Sequence, residues 1–200
     1  MTRKPHDTVR LYDSASGYSL RQHALMEAAR VLYERSGQLT VETVSDLADY
    51  SQASVRTDFA SLDVLLAAAY LRDVNDLERA FRMVEIYAPD EAPRAFWFGL
   101  SHPSRRRMVK AVISLGERVA PPGNHPLLLR LWVVMQDAIQ RGCFGSVNLL
   151  RINAADIART HTIQALHHLD ACGPLTGERR EQAVGHVLEL FRLALAPPEA

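Results

Sequence analysis

The sequence predicts an all-α fold of about nine helices, on three observations. Apolar residues recur three or four positions apart over most of the 200 residues, which is the spacing of helices with one buried face. No segment alternates apolar and polar residues with a period of two between turn signals, as a half-buried strand does. Glycine and proline divide the chain into segments of helical length. We expect three short N-terminal helices followed by a larger helical domain.

The first two helices are predicted from their caps. Residues 1–17 are polar and lack a sustained period, so we interpret them as a flexible arm. Ser19 then begins a helix, because Gln22 completes a capping box in which each side chain bonds the other residue's backbone N–H. Gly37 supplies the left-handed residue that ends this helix, and Thr40 is a natural N-cap for the next one.

The third and fourth helices follow a break in the pattern at residues 49–51. A short third helix is expected over residues 52–59. Ser61 caps a long fourth helix that continues to about Tyr87, and Pro89 marks the joint that follows it.

Five further helical segments follow this joint, and proline or glycine lies near most of their ends. They are expected at residues 94–100, 103–119, 126–140, 146–171 and 178–196. We place a helix-turn-helix domain at residues 18–66 and a ligand-binding and dimerisation domain at residues 67–200.

Two short helices braced by a first helix are typical of a helix-turn-helix, whose second short helix lies in the major groove. The third helix begins with small polar residues, while Val55 and Phe59 are spaced to anchor it inward. We therefore expect an operator of double-stranded DNA as partner. The residues predicted to contact it are Thr40, Ser51, Gln52, Ala53, Ser54, Arg56 and Thr57.

Residues 21–68 resemble the tetracycline-repressor-like (TetR) family of transcriptional regulators in their combined pattern. The matching residues are Ala28, Ala29, Leu32, Tyr33, Gly37, Thr40, Val41, Val44, Leu47, Ala48, Ser51, Ala53, Ser54, Val55, Phe59, Ser61, Asp63, Leu65 and Leu66. The remainder is similar to the family in its helical layout and its last, apolar helix. The resemblance implies a ligand-responsive transcriptional regulator, a repressor that acts as a homodimer.

Three residues depart from that family pattern. Asp49 stands where the family usually has glycine, and aspartate accepts a left-handed conformation better than most residues. Arg56 replaces a usual tyrosine and is able to hold a phosphate or read guanine. Leu62 replaces a usual lysine, which removes a positive charge where charge supports DNA affinity.

The charge of the N-terminal part is low for a DNA-binding domain. Residues 1–63 contain seven Lys or Arg and nine Asp or Glu, a balance of −2, while the whole chain is neutral. A strong non-specific binder is basic here, so we expect weak non-specific affinity and reliance on a few placed contacts. Arg3, Lys4 and Arg10 of the arm are candidates for contacting the DNA backbone or minor groove.

Aromatic residues cluster in the second domain beside the proline-flanked joint, which favours a pocket for a small hydrophobic ligand between helices. Simple core packing is the alternative for each aromatic residue taken alone. The predicted ligand-binding residues are Tyr87, Phe96, Trp97, Trp132, Gln136, Asn153 and His161, with His125 and Asn148 as further polar candidates.

The last two helices carry more apolar residues than one small bundle needs, so we expect two chains to pair them in a symmetric four-helix interface. The predicted interface residues are Ile163, Leu166, Val184, Val187, Leu188 and Phe191. A homodimer places two recognition helices one DNA turn, or a multiple of it, apart. Ligand binding then favours one spacing, which the long fourth helix transmits.

The sequence lacks the catalytic motifs that would indicate an enzyme. It contains no Glu-x-x-His, no Gly-x-Ser-x-Gly, no phosphate loop and no dinucleotide fingerprint, so we expect no enzyme activity and no cofactor. His161 and His168 share a helix face, but their separation of seven residues is unusual for metal ligands, so we expect no metal. Cys143 and Cys172 are expected to be free thiols.

The chain has neither a secretory signal nor an apolar stretch long enough to span a membrane, which predicts a cytoplasmic protein without a membrane partner. Two alternatives to the regulator stay open. A helical small-molecule-binding or interaction protein of the same fold, with weakened or lost DNA binding, is favoured by Leu62 and the acidic N-terminal domain. A bundle enzyme requires a bound metal or cofactor.

Overall fold

The computed structural model describes residues 17–118, 126–145 and 153–196, which form nine α-helices and no strand. The prediction of an all-α fold is confirmed for these residues. The helices are α1 (Leu20–Ser36), α2 (Val41–Ala48), α3 (Gln52–Asp58), α4 (Leu62–Tyr87), α5 (Ala92–Leu100), α6 (Arg106–Arg118), α7 (Pro126–Gln140), α8 (Ala154–Ala171) and α9 (Gly177–Leu195). Short 3₁₀ turns, Pro89–Glu91 and Pro103–Arg105, precede α5 and α6.

Side chains fix the starts of the first two helices as the sequence predicted. The Ser19 hydroxyl accepts a hydrogen bond from the backbone N–H of Gln22 at 3.2 Å, and the Gln22 side-chain oxygen accepts from the Ser19 N–H at 2.8 Å. Thr40 and Thr43 form the same reciprocal cap on α2. Gly37 ends α1 with φ 74°, a left-handed conformation that glycine adopts without steric cost.

Helix bounds differ from the prediction by two residues or more at three places. α5 begins at Ala92, two residues early, because proline is tolerated in a first helical turn. α6 begins at Arg106, since the 3₁₀ turn before it is a separate element. The predicted helix over residues 146–171 is not continuous, because Asn153 has an extended backbone, with φ −83° and ψ 94°, and is the N-cap of α8, which begins at Ala154.

Several predictions fall outside the described residues and stay predictions. They concern the arm with Arg3, Lys4 and Arg10, the polar candidates His125 and Asn148, and the first turns of the predicted 146–171 helix.

The described residues form two compact units, the head, which ends at Asp73, and the body, which begins at Val74. Helix α4 contributes residues to both units. In the head, α1 packs against α2, and α2 against α3. The buried side chains at the centre of the head include Leu25, Ala29, Val44, Val55, Phe59 and Leu65.

The body has an aromatic core. Phe96 and Trp97 of α5 are almost fully buried, and their rings meet edge to face with centroids 5.6 Å apart. Phe191 of α9 lies 6.0 Å from the Trp97 ring. Helix α9 packs on α5 and α8, and α8 packs on α6 and α7. Across the described ranges, every helix is too short or too polar to cross a bilayer.

A network of ion pairs joins the second half of α4 to α7. Arg82 pairs with Glu78 and Glu85 on its own helix and with Asp137 on α7. The side chains of Glu78 and Glu85 are only 16% and 10% exposed. Arg130 of α7 also reaches Glu78, at 2.7 Å. Removal of Arg82 would leave poorly hydrated carboxylates without a partner, which costs free energy. The network therefore stabilises the packing of α4 against α7.

We predict that Arg82→Ala lowers the free energy of unfolding by roughly 1–3 kcal/mol, below the cost of breaking a fully buried pair because Arg82 is partly exposed. The measurement is urea denaturation followed by circular dichroism. Arg79→Ala is the matched control, since Arg79 lies on the same helix, is largely exposed and pairs with Asp76. Equal losses for the two variants would contradict the structural role of Arg82.

The two cysteines are free thiols in contrasting surroundings. Burial, with a smaller contribution from the Glu85 carboxylate, raises the pKa of the Cys143 thiol to about 11. The thiolate is the reactive form, so Cys143 is nearly unreactive at neutral pH, whereas Cys172 is exposed.

We expect a thiol reagent at pH 8 to label Cys172 rapidly in the folded protein and Cys143 only after unfolding. The measurement is mass spectrometry of peptides after timed labelling. Cys172→Ser is the control, and this variant should take up almost no reagent until denaturant is added. Rapid labelling of Cys143 in the folded variant would show that its surroundings are not as the structure has them.

Candidate nucleic-acid interface

A tight left-handed turn joins α2 to α3. Asp49 has φ 57° and ψ 44°, and among the described residues it is the non-glycine residue with a positive φ. The backbone N–H of Tyr50 returns to the carbonyl oxygen of Ser45 at 3.1 Å. The prediction that aspartate serves in place of glycine at this turn is confirmed, and the turn directs the chain into the next helix.

Helix α3 is anchored by its apolar side. Val55 and Phe59 are 3% and 5% exposed and lie in the core of the head. The Ser51 hydroxyl accepts from the backbone N–H of Ser54 at 3.1 Å and caps the helix. The predicted short helix at residues 52–59 is therefore confirmed, with its last residue, Phe59, as the C-cap.

A bidentate ion pair attaches the end of α3 to the start of α1. Arg21 donates from Nε and Nη2 to the two carboxylate oxygens of Asp58, each at 2.7 Å. The Asp58 side chain is only 8% exposed. Sequence reasoning missed this pair, because 37 positions separate its members and no local pattern links them.

The rest of the α3 surface is polar and mostly exposed. Gln52, Arg56 and Thr57 are exposed, and Arg56 donates from Nη2 to the Gln52 side-chain oxygen at 3.2 Å. The Thr57 hydroxyl donates to the carbonyl oxygen of Ala53 at 2.8 Å. Of the remaining predicted residues, Ser51, Ala53 and Thr40 are exposed and Ser54 is half-buried. The structure thus brings the predicted residues of α3 together on one accessible side.

In the head, Arg30 is bound in ion pairs, and several acidic side chains are exposed. Arg30 of α1 is held by Glu27 and Glu34, at 2.6 and 3.2 Å, and these carboxylates raise the pKa of the guanidinium. Glu42 and Asp49 lie exposed on α2 and in the turn. Acidic side chains therefore lie at the surface of the described part of the head.

The predicted ligand-binding residues do not share one environment. Trp97 and Trp132 are buried in the body, as is Phe96, whereas Tyr87 at the end of α4 is 83% exposed. The Asn153 side chain accepts from two backbone N–H groups as the N-cap of α8, which explains that residue without a ligand. Gln136 and His161 are half-buried.

Two buried polar atoms near Phe191 have no hydrogen-bond partner among the described residues, namely Nε1 of Trp97 and Nδ1 of His161. The centroid of the Phe191 ring lies 5.8 Å from that of His161 and 6.0 Å from that of Trp97. Buried polar groups usually have partners, so these atoms call for an explanation.

The predicted dimer residues are covered largely by their own chain. Leu166, Val184, Val187 and Phe191 are at most 1% exposed and Leu188 is 8% exposed, so their apolar surface is already buried in the body. Ile163 is half-buried. On α9 the large exposed apolar residue is Leu193, at 65%.

Neither a protein-family model nor a curated protein matches this sequence. Solved structures match by shape. A protein from Rhodococcus sp. assigned to the TetR-family transcriptional regulators is 19% identical with a TM-score of 0.63, and the match covers 88% of this chain and 98% of that one. Salmonella enterica GusR is 16% identical with a TM-score of 0.58, covering 90% and 98%.

A protein assigned as a transcriptional regulator from Pseudomonas aeruginosa PAO1 is 16% identical with a TM-score of 0.57, covering 91% of this chain and 92% of that one. At these identities the likeness concerns the fold. The chain has the fold of TetR-type regulators, as the resemblance of residues 21–68 implied.

We predict that Arg21→Gln loosens α3, because it leaves the poorly exposed Asp58 carboxylate without its partner. Hydrogen–deuterium exchange of peptides covering α3 should be faster than in the unchanged protein. Arg35→Gln is the control, since Arg35 is an exposed arginine on the same helix α1. Unchanged exchange in α3 of the Arg21→Gln variant would show that the apolar anchor alone is sufficient.

Proposed function

We propose that this chain is a DNA-binding transcriptional regulator that acts as a homodimer and responds to a small hydrophobic ligand. The observation that carries the proposal is the exposed polar side of α3, held out after the Asp49 turn by a buried apolar side. A helix presented in this way fits the major groove, where side chains reach base edges. The fold, which solved transcriptional regulators share, supports the same function.

Arg56 and Gln52 are the side chains we assign to base reading. Arginine reads guanine by two hydrogen bonds to its major-groove edge, and glutamine reads adenine in the same manner. Their mutual hydrogen bond at 3.2 Å holds the guanidinium in place before DNA arrives, which lowers the entropy lost on binding. Hydroxyl groups of Thr40 and Ser51 at the starts of α2 and α3 are suited to phosphate contacts.

The test begins with selection of binding sites from a pool of random duplexes by the full chain. We predict enrichment of a two-fold repeated site that contains guanine in each half. Arg56→Ala should weaken binding to this site by roughly 5–150-fold, the equivalent of 1–3 kcal/mol for one bidentate base contact. Arg35→Ala, which changes the same charge on α1, should have a much smaller effect.

Salt dependence separates this function from its alternative, a helical binding protein of the same fold that no longer contacts DNA. The acidic residues of the head and Leu62 favour the alternative. A regulator loses affinity as salt rises, with a slope of about 0.9 for each phosphate contact. No enriched site, together with a salt slope near zero, would establish the alternative.

The proposed ligand occupies the aromatic region of the body around Phe191. Trp97 offers an N–H and His161 offers a ring nitrogen, both buried and without partners among the described residues, so an apolar ligand carrying a hydrogen-bond acceptor suits them. A ligand changes DNA binding only if its affinity differs between two states of the dimer that hold the two heads at different spacings. Helix α4, which belongs to both units, is our candidate for transmitting this difference.

We expect a screen of aromatic carboxylates and ketones by thermal shift to yield ligands that raise the melting temperature of the full chain. Trp97→Phe keeps an aromatic ring but removes the N–H and the second ring of the indole, so it should reduce the shift. Phe98→Leu, at a half-buried neighbour, is the control. Ligands that bind without changing affinity for the selected DNA site would contradict the switching role.

Dimerisation is proposed through the outward sides of α8 and α9, because their inward apolar residues are already buried. Exposed Leu193 and half-buried Ile163 are the apolar residues these sides offer. Sedimentation velocity should give twice the chain mass at micromolar concentration, and Leu193→Glu should shift the protein toward monomer. A monomer at all concentrations would refute the homodimer.

A further inference from the structure

Two histidine rings from different helices are in contact where α8 packs on α9. His168 lies in the last turn of α8 and is half-buried, and His186 lies near the middle of α9 and is exposed. The centroids of the two rings are 4.4 Å apart, and the ring planes are tilted by 36°. The titratable neighbour on α8 is Cys172, whose sulfur lies 3.6 Å from Nε2 of His168. Neither histidine is among the residues assigned to DNA or to the ligand.

The charge of this contact depends on pH, because imidazole is the side chain that ordinarily changes its charge between pH 5 and pH 8. Neutral rings make the contact without electrostatic cost, whereas two protonated rings bring two positive charges together. Two unit charges about 4 Å apart in water repel strongly enough to change an equilibrium constant roughly fivefold, and more strongly where burial lowers the local dielectric constant. Acid therefore opposes the contact between α8 and α9.

The charged groups of α6 and α7, which also pack on α8, are bound by other residues. Lys110 of α6 pairs with Asp170 near the end of α8 at 3.7 Å, and Arg106 of α6 lines the same small cleft as Asp170. The two charged residues of α7, Arg130 and Asp137, pair with side chains of α4. These ion pairs leave the interaction between the two histidines as the pH-dependent feature of the contact.

On α9, helical spacing places Arg179 and Glu189 on or beside the side that carries His186, and their opposite charges offset each other. Burial, and to a lesser extent the charge of His186, lower the pKa of His168 below its ordinary value of 6.5. The unfolded chain then takes up the proton more readily than the folded chain. The stability that the contact contributes is therefore present above about pH 6.5 and is lost as the pH falls through the lowered pKa.

We propose that the His168–His186 contact is a pH-sensitive contact, which holds α8 to α9 at neutral pH and loosens in acid. Protonation of paired histidines weakens protein interfaces in the same way. The outward sides of the same two helices form the dimer surface proposed above, so acid also weakens the homodimer. This second consequence rests on the proposed function, whereas the first concerns a single chain.

A double-mutant cycle separates the contact of the two rings from the titration of all other groups. The full chain, its His168→Gln and His186→Gln variants and the double variant are unfolded in urea at pH 8 and pH 5, at one protein concentration. At pH 5 the coupling between the two positions should lower the folding equilibrium constant at least about fivefold, the effect of two unit charges in water. At pH 8 the coupling should be absent or favourable.

His23→Gln is the matched control, because it removes an exposed histidine from the head. Combined with His168→Gln in a second cycle, it should show no coupling at either pH. A coupling between positions 168 and 186 that is the same at pH 5 and pH 8 would overturn the pH-sensitive contact.

Sedimentation velocity at the same two pH values tests the consequence for the homodimer. The unchanged protein should shift toward monomer at pH 5, and the His186→Gln variant should shift less. A dimer that is equally stable at both pH values would overturn this consequence. A monomer at both pH values would refute the homodimer of the proposed function, while the coupling measured by unfolding still decides whether the contact within one chain responds to acid.

Discussion

The burial of Val55 and Phe59 is the constraint on which the proposed function of this chain depends. A seven-residue helix such as α3 is too short to be stable in isolation, so its packing against the head determines where it lies. Full burial of an apolar side chain of this kind contributes about 1.5–3 kcal/mol. Because one side of α3 is fixed in this way, its exposed side chains, which include Gln52 and Arg56, are held outward.

The electrostatics of the head complement this arrangement. Arg21 and Arg30 form ion pairs with carboxylates of the head. Their charges therefore stabilise the head and are less available to an external anion. Phosphate contacts supply affinity without regard to sequence, whereas contacts to base edges supply discrimination. Under the proposed function, a head of low positive charge that presents Arg56 beside Gln52 would discriminate among DNA sequences and would bind non-specific DNA weakly.

The sequence predicted what depends on local contacts. The caps at Ser19 and Thr40 and the turn at Asp49 follow from residues within four positions of each other, and the structure has them as predicted. The Arg21–Asp58 pair could not be predicted, since it requires the fold. Periodicity showed that residues such as Val187 are buried, but it cannot say whether the same chain or a second copy covers them. The aromatic pattern likewise did not separate exposed Tyr87 from buried Trp97.

Site-specific crosslinking tests most directly whether α3 meets DNA. A photoreactive amino acid in place of exposed Ala53 on α3 should crosslink to the selected duplex on illumination, and the same group in place of exposed Gln140 on α7 should not. Crosslinks from position 53 that disappear when unlabelled specific duplex is added in excess are the result we predict. Stable binding of the duplex without crosslinks from position 53, or with crosslinks from position 140 instead, would contradict the account.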